Sequence, residues 1–200
     1  MYFIHRLESN IFQDHITGAL RKKIPGSKTV LGINSGAKYK EELILVKEND
    51  QLKFGKHVLT VYETPGHTNG CTSFVLDDGK MVFTGDVLFV RSCGRFVLWS
   101  HPLILTIFRT DFQQGSNEKL FESITKLYNK LPESCIVYPG HDYNGFTSST
   151  IGEEMKYNPR LFKGQTLEGF AKIMDNLNLA PPKKIDVSLR FNFYGGQIDE

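Results

Sequence analysis

Val58-Leu59-Thr60-Val61-Tyr62-Glu63 runs straight into Thr64-Pro65-Gly66-His67-Thr68, an apolar β-branched pattern that stops at Pro-Gly and delivers a histidine. The phrase recurs. Met81-Val82-Phe83-Thr84 is followed by Gly85-Asp86, and Cys135-Ile136-Val137-Tyr138 by Pro139-Gly140-His141-Asp142. Runs of β-branched and aromatic residues bounded by Gly and Pro read as strands. Glycine beside each polar residue lets the backbone turn sharply. In a layered α/β protein such loops gather at one sheet edge, where binding sites tend to lie. A lone histidine after Pro-Gly is ordinarily a surface loop residue. Repetition at three strand ends, with Asp14-His15 ahead of a helix pattern, points instead to a metal site. Imidazole and carboxylate together suit zinc, iron or manganese.

Working outward, Thr17 to Ile24 reads as a short helix stopped at Pro25-Gly26, and Lys28 to Ile33 as a strand. Gln51 to Phe54 and His57 to Glu63 flank a Gly55-Lys56 turn, and Thr72 to Leu76 and Met81 to Thr84 flank Asp77-Asp78-Gly79. Ser116 opens the clearest helix, with Leu120, Phe121, Ile124, Leu127, Tyr128 and Leu131 on one face and Pro132 as its stop. Helical patterns follow at Ile151 to Tyr157 and Thr166 to Leu177, and a tail begins at Pro181-Pro182. Strand pairs followed by interspersed helices predict a layered α/β protein. No repeat or linker divides it, so 1–200 is read as one domain.

Composition narrows the function. The chain has 200 residues, 40% of them hydrophobic, enough for a sizeable core. Its 24 Lys and Arg nearly balance 22 Asp and Glu, and the longest basic run is Arg21-Lys22-Lys23, so no nucleic-acid partner is expected. The 3 cysteines, Cys71, Cys93 and Cys135, show no C-x-x-C spacing, which fits a reducing compartment. No stretch reaches the roughly 18 apolar residues of a membrane span, so no membrane partner is expected. Met1 to Arg6 shows neither signal nor transit-peptide character.

The three strand-end motifs resemble those of the metallo-β-lactamase fold, as in glyoxalase II. Arg109-Thr110-Asp111-Phe112-Gln113-Gln114-Gly115, His141-Asp142-Tyr143-Asn144-Gly145-Phe146-Thr147 and Asn158-Pro159-Arg160-Leu161 more specifically resemble the mitochondrial persulfide dioxygenases. Ile173 to Leu179 and Pro181 to Asp186 carry the likeness on, so that it covers about residues 14–190. The resemblance implies an αββα sandwich with a mononuclear Fe(2+) site. It implies oxidation of glutathione persulfide by O2 to sulfite and glutathione, in sulfide catabolism in the mitochondrial matrix. Without a visible transit peptide, this chain could equally be cytoplasmic. By motif match His67 and Asp86 are iron ligands and the catalytic pair, while Tyr143 and Arg160 hold glutathione. An Arg guanidinium suits a glutathione carboxylate through paired hydrogen bonds. Asp14, His15 and His141, with Asp86, correspond to a second metal position or to supporting groups, where zinc is conceivable. The resemblance also admits a homodimer.

The chain departs from this family in three places. The family's first metal motif is H-x-H-x-D-H; here Asn10 and Phe12 replace its leading histidines in Asn10-Ile11-Phe12-Gln13-Asp14-His15. The first of these is the family's other iron-binding histidine, so an impaired dioxygenase is expected. The sequence starts just before that motif, so the family's opening strands are expected to lack counterparts. Phe96 to Arg109 is an insertion, and removing it rejoins Gly94-Arg95 to Thr110-Asp111-Phe112. Phe96 to Phe108 holds no Asp, Glu, Lys or Arg, which suits either translated intron sequence or an anchor to membrane or partner. A glyoxalase II-like thioester hydrolase and a non-catalytic remnant are the alternative functions.

Overall fold

Period-2 alternation along the strands sorts the layers. The computed structural model describes residues 5–7, 27–39, 43–95, 115–177 and 185–194. Asn10, Phe12, Asp14, His15, the helix expected at Thr17 to Ile24 and the insertion at Phe96 to Arg109 lie outside these residues. In chain order the elements are β1 (His5–Leu7), β2 (Lys28–Gly32), β3 (Leu43–Val46), β4 (Gln51–Phe54), β5 (His57–Glu63), β6 (Thr72–Leu76), β7 (Met81–Gly85), β8 (Leu88–Phe89) and β9 (Ser92–Cys93). Then come α1 (Asn117–Lys130), β10 (Ile136–Pro139), β11 (Ser149–Thr150), α2 (Ile151–Tyr157), α3 (Leu167–Asp175) and α4 (Ile185–Asn192).

Two sheets face each other. One has the order β1-β2-β3, all parallel; the other has the order β11-β10-β7-β6-β5-β4. Val30 and Val46 of the smaller sheet pack on Leu59, Val61 and Phe74 of the larger. Val75, Val82 and Val137 belong to a second core cluster, shared with Leu120, Ile124 and Leu127 of α1, Ile151 of α2 and Phe170 of α3. Because alternate strand residues point to opposite faces, Phe74 faces the partner sheet while Val75 faces the helices. Helices on one face and a second sheet on the other bear out the α/β sandwich expected from the sequence.

Nine of the expected strands and helices fall within a residue or two of their positions. Ser116 caps α1 by accepting from the Lys119 N–H, and Thr166 caps α3 by accepting from the Gly169 N–H. Others were not foreseen: β1, β3, the short β8–β9 hairpin, β11 and α4. The tail read from Pro181 onward instead contains α4, whose Leu189, with Phe193 just beyond it, clusters with Ala37, while the Lys38 N–H donates to the Phe193 carbonyl at 2.8 Å. Its apolar residues alternate as Ile185, Val187, Leu189 and Phe191, a spacing that does not single out a helix from the sequence.

A candidate metal centre at one sheet edge

β5 is antiparallel to β6 and β6 to β7, while β7 is parallel to β10. The C-terminal ends of β5, β7 and β10 therefore share one edge of the sheet. His67, Asp86 and His141 follow those ends, as the motif spacing predicts.

His67 sits on a loop wedged against α1. Ser123 Oγ donates to the Pro65 carbonyl at 2.6 Å, and the Gly66 N–H donates to the Thr68 carbonyl at 3.0 Å. A Cβ on Gly66 would lie 2.3 Å from the Leu120 Cα, and its φ of 144° is one that side chains resist. The expected role of glycine at all three turns needs one correction. Gly85 also has positive φ, but Gly140 does not; it leaves room for Asp86, whose Oδ1 would stand 3.0 Å from an added Cβ.

The His67 ring is fixed by its Nδ1, which donates to the Arg95 carbonyl. A carbonyl only accepts, so Nδ1 carries a proton and Nε2 is the nitrogen turned away from the carbonyl. That nitrogen faces Asp86 Oδ2 at 3.8 Å, too far for a hydrogen bond, with both side chains nearly buried. The other carboxylate oxygen is held: His141 Nδ1 donates to Asp86 Oδ1 at 2.6 Å. His141 in turn stacks on Tyr143, with ring centroids 5.8 Å apart and planes 8° apart. Phe89 meets both rings edge-on.

Arg160 reaches the same region from the turn after α2. Its Nη1 donates to the Cys93 carbonyl at 3.3 Å, and its backbone N–H donates to Asn158 Oδ1. Tyr143 is 71% exposed at the rim of this group. Asp142, beside it, accepts from the Asn144 and Phe146 N–H groups, which hold its carboxyl below the ordinary range. Burial pushes the Cys71 thiol up to about 12 and those of Cys93 and Cys135 up to about 11, leaving none of them a thiolate ligand at neutral pH.

The described residues thus bring together His67, Asp86, His141 and Tyr143, with the Arg160 guanidinium bonded to the strand that leads to the His67 support. Among the described residues no group of three His, Cys, Asp or Glu converges on one point. Sequence reasoning missed the Arg95 carbonyl and the Gly94 that precedes it. A backbone acceptor leaves no trace in side-chain chemistry. A Cβ on Gly94 would come within 1.8 Å of the Asp86 carbonyl oxygen and 3.2 Å of His67 Nδ1, a constraint visible only in three dimensions.

Residues 8–141 match the family model described as the metallo-β-lactamase superfamily. The chain belongs to that superfamily. The mouse (Mus musculus) protein described as persulfide dioxygenase ETHE1, mitochondrial, is 40% identical over 195 residues, spanning 96% of this chain and 69% of the mouse protein. Within the superfamily the chain is therefore a member of the persulfide dioxygenase family, a family of enzymes. The crystal structure of ETHE1 from Myxococcus xanthus superposes with a TM-score of 0.80 at 38% identity, covering 96% of this chain and 77% of that one. A hydroxyacylglutathione hydrolase of Brucella anthropi is 39% identical over 98 residues, but these span only 49% of this chain and 31% of that protein. The likeness to the dioxygenases runs through the whole chain, and that to the hydrolases does not.

Proposed function

We propose that this chain is an iron-dependent persulfide dioxygenase that converts glutathione persulfide, O2 and water to sulfite and glutathione. The observation that carries the reading is that His67 Nε2 and Asp86 Oδ2 face each other across 3.8 Å, with the other ring nitrogen of His67 fixed on the Arg95 carbonyl. An imidazole and a carboxylate are the donor types of a mononuclear non-haem iron site. His67 and Asp86 would hold the metal. Iron, when bound, supplies the redox chemistry that lets O2 react with sulfur.

The remaining roles belong to the chain itself. His141 fixes the Asp86 carboxylate by donating to Oδ1, which presents Oδ2 towards His67. Using Nδ1 in this way supports a positioning role for His141 over ligation through that atom. Tyr143, stacked on His141, would lie along the glutathione backbone. Arg160 would take a glutathione carboxylate, with its guanidinium anchored on the Cys93 carbonyl. Arg160 and His67 anchor two residues apart on the chain, at the Cys93 and Arg95 carbonyls, which would hold the tripeptide with its persulfide sulfur beside the metal.

The family's other histidine ligand corresponds to Asn10, so the chain would bind iron weakly and turn over slowly. Asp14 and His15 would complete a second position with His141 and Asp86, open to zinc. Sulfide catabolism in the mitochondrial matrix is the setting we infer from the mouse relative. Among the described residues no helix is long and apolar enough to cross a membrane. The test is O2 consumption with glutathione persulfide by the purified chain, beside H67A and a hydroxyacylglutathione thioester as competing substrate. Slow persulfide-dependent uptake abolished in H67A is the expected result; thioester hydrolysis without O2 uptake would overturn it.

A further inference from the structure

Glu154 lies on the apolar side of α2, between Ile151 and Asn158, and is completely buried. Its carboxylate accepts four hydrogen bonds. Arg91 donates twice, from Nη1 to Oε1 at 2.6 Å and from its backbone N–H to Oε2 at 2.9 Å. Ser149 Oγ donates to Oε1 at 2.6 Å and Asn158 Nδ2 to Oε2 at 2.8 Å. A buried ion pair contributes little net stability over an apolar replacement, so such a network calls for another explanation.

The network ends on the parts that hold the site. Arg91 occupies the turn between β8 and β9 with φ of 57°, a left-handed conformation unusual for a non-glycine residue. From that turn the chain runs through Ser92 and Cys93 to Gly94 and Arg95. The Cys93 carbonyl accepts from Arg160 and the Arg95 carbonyl accepts from His67. Asn158 also donates to the Ser92 carbonyl at 3.1 Å, while its Oδ1 accepts from the backbone N–H groups of Arg160 and Leu161. One carboxylate therefore grips the strand that carries the His67 support and the turn that carries Arg160.

We infer that Glu154 is a positioning residue that sets the metal-ligating His67 and the glutathione-binding Arg160 at a fixed distance, acting through Arg91 and Asn158. It touches neither metal nor substrate. The inference rests on the proposed roles of His67 and Arg160 and adds to them a specific mechanical link.

The test uses the full chain and the variants E154Q, N158A, R160A and H67A. Glutathione binding is read by calorimetry, cobalt(II) binding by its visible absorption and folding by thermal melting. E154Q retains the size of the side chain but places an amide NH2 against donors. It is expected to weaken both glutathione and cobalt(II) binding by about ten- to a hundredfold, as loss of a supporting partner does elsewhere. N158A removes the hold on the Arg160 turn and one bond to the Ser92 carbonyl, while Arg91 still joins Glu154 to β9, so glutathione binding weakens by about tenfold and cobalt(II) binding by much less. A merely structural Glu154 would lower the melting temperature and leave both affinities unchanged, which would overturn the inference. Should E154Q fail to fold, N158A decides alone: unchanged glutathione binding, or equal loss of both ligands, overturns the link. R160A that binds glutathione normally, or H67A that binds cobalt(II) normally, would instead overturn the functional reading beneath it.

Discussion

Gly94 is the residue on which the site most tightly depends, because its missing Cβ lets β9 pass over Asp86 and His67. In G94A the backbone must move to relieve a contact of 1.8 Å with the Asp86 carbonyl oxygen. Overpacking of this kind costs about 1–3 kcal/mol, and here the displaced strand takes the His67 acceptor with it. A lower melting temperature together with lost cobalt(II) absorption is expected, whereas loss of stability alone would show the acceptor to be dispensable. Asp142 offers a pH handle at the same scale. Its folded value is depressed by the Asn144 and Phe146 N–H groups, so the ordering of this loop is present above the ordinary carboxylate range. It is lost as the pH falls through the lowered folded value. The amide resonances of Asn144 and Phe146 should titrate together below 3.8, and in D142N this step should be absent. At this scale the sequence was partly legible. That His67, Asp86 and His141 meet at one sheet edge was legible because the same strand-end pattern recurs three times. Arg95 and Asn158 act through a carbonyl or within a buried turn, and Glu154 appeared only as one of two adjacent acids.

Among the elements, α1 ties the helical layer to the ligand-bearing edge: its Leu120, Ile124 and Leu127 are buried on the sheet, and Ser123 grips the His67 loop. I124A should destabilise the chain by about 2–5 kcal/mol, since a fully buried large-to-small change adds a cavity to lost burial. Removing the cap in S116A should cost only about 1 kcal/mol, so core burial outweighs capping by severalfold; urea unfolding of both variants checks the ranking. These helices and the central strands were legible because period and caps agree. β3, a short apolar run behind Lys40-Glu41-Glu42, and the two-residue strands of β8, β9 and β11 were not, because runs of two to four residues are too short to show a period. The segment Phe96 to Arg109 is expected, from the motif on either side of it, to be an insertion. A chain lacking 96–109 should keep or raise its soluble yield and melting temperature; a clear fall in either would place the segment in the fold.

Across the whole molecule, metal binding and folding are one equilibrium, because His67 and Asp86 lie on loops from different strands that only the folded sheet brings together. A ligand that binds the folded state alone stabilises it by RT ln(1 + [L]/Kd), about 2.7 kcal/mol at a hundredfold excess over Kd. A site with two firm donors should require far more metal to reach that excess than one with three. Anaerobic iron(II) is therefore expected to raise the melting temperature of the unaltered chain only at high concentration, reversibly with chelator. H67A should show no shift. In N10H, where the family's donor type is restored at the position that this chain fills with Asn10, the same shift should appear at much lower iron(II), accompanied by faster persulfide-dependent O2 uptake. A large shift at stoichiometric iron(II) in the unaltered chain would mean that some other residue completes the site. The expected impairment would then be wrong, although His67 and Asp86 would keep their roles. Equal weakness in N10H and the unaltered chain would place the defect in how the segment around Asn10 is held, not in its donor atom.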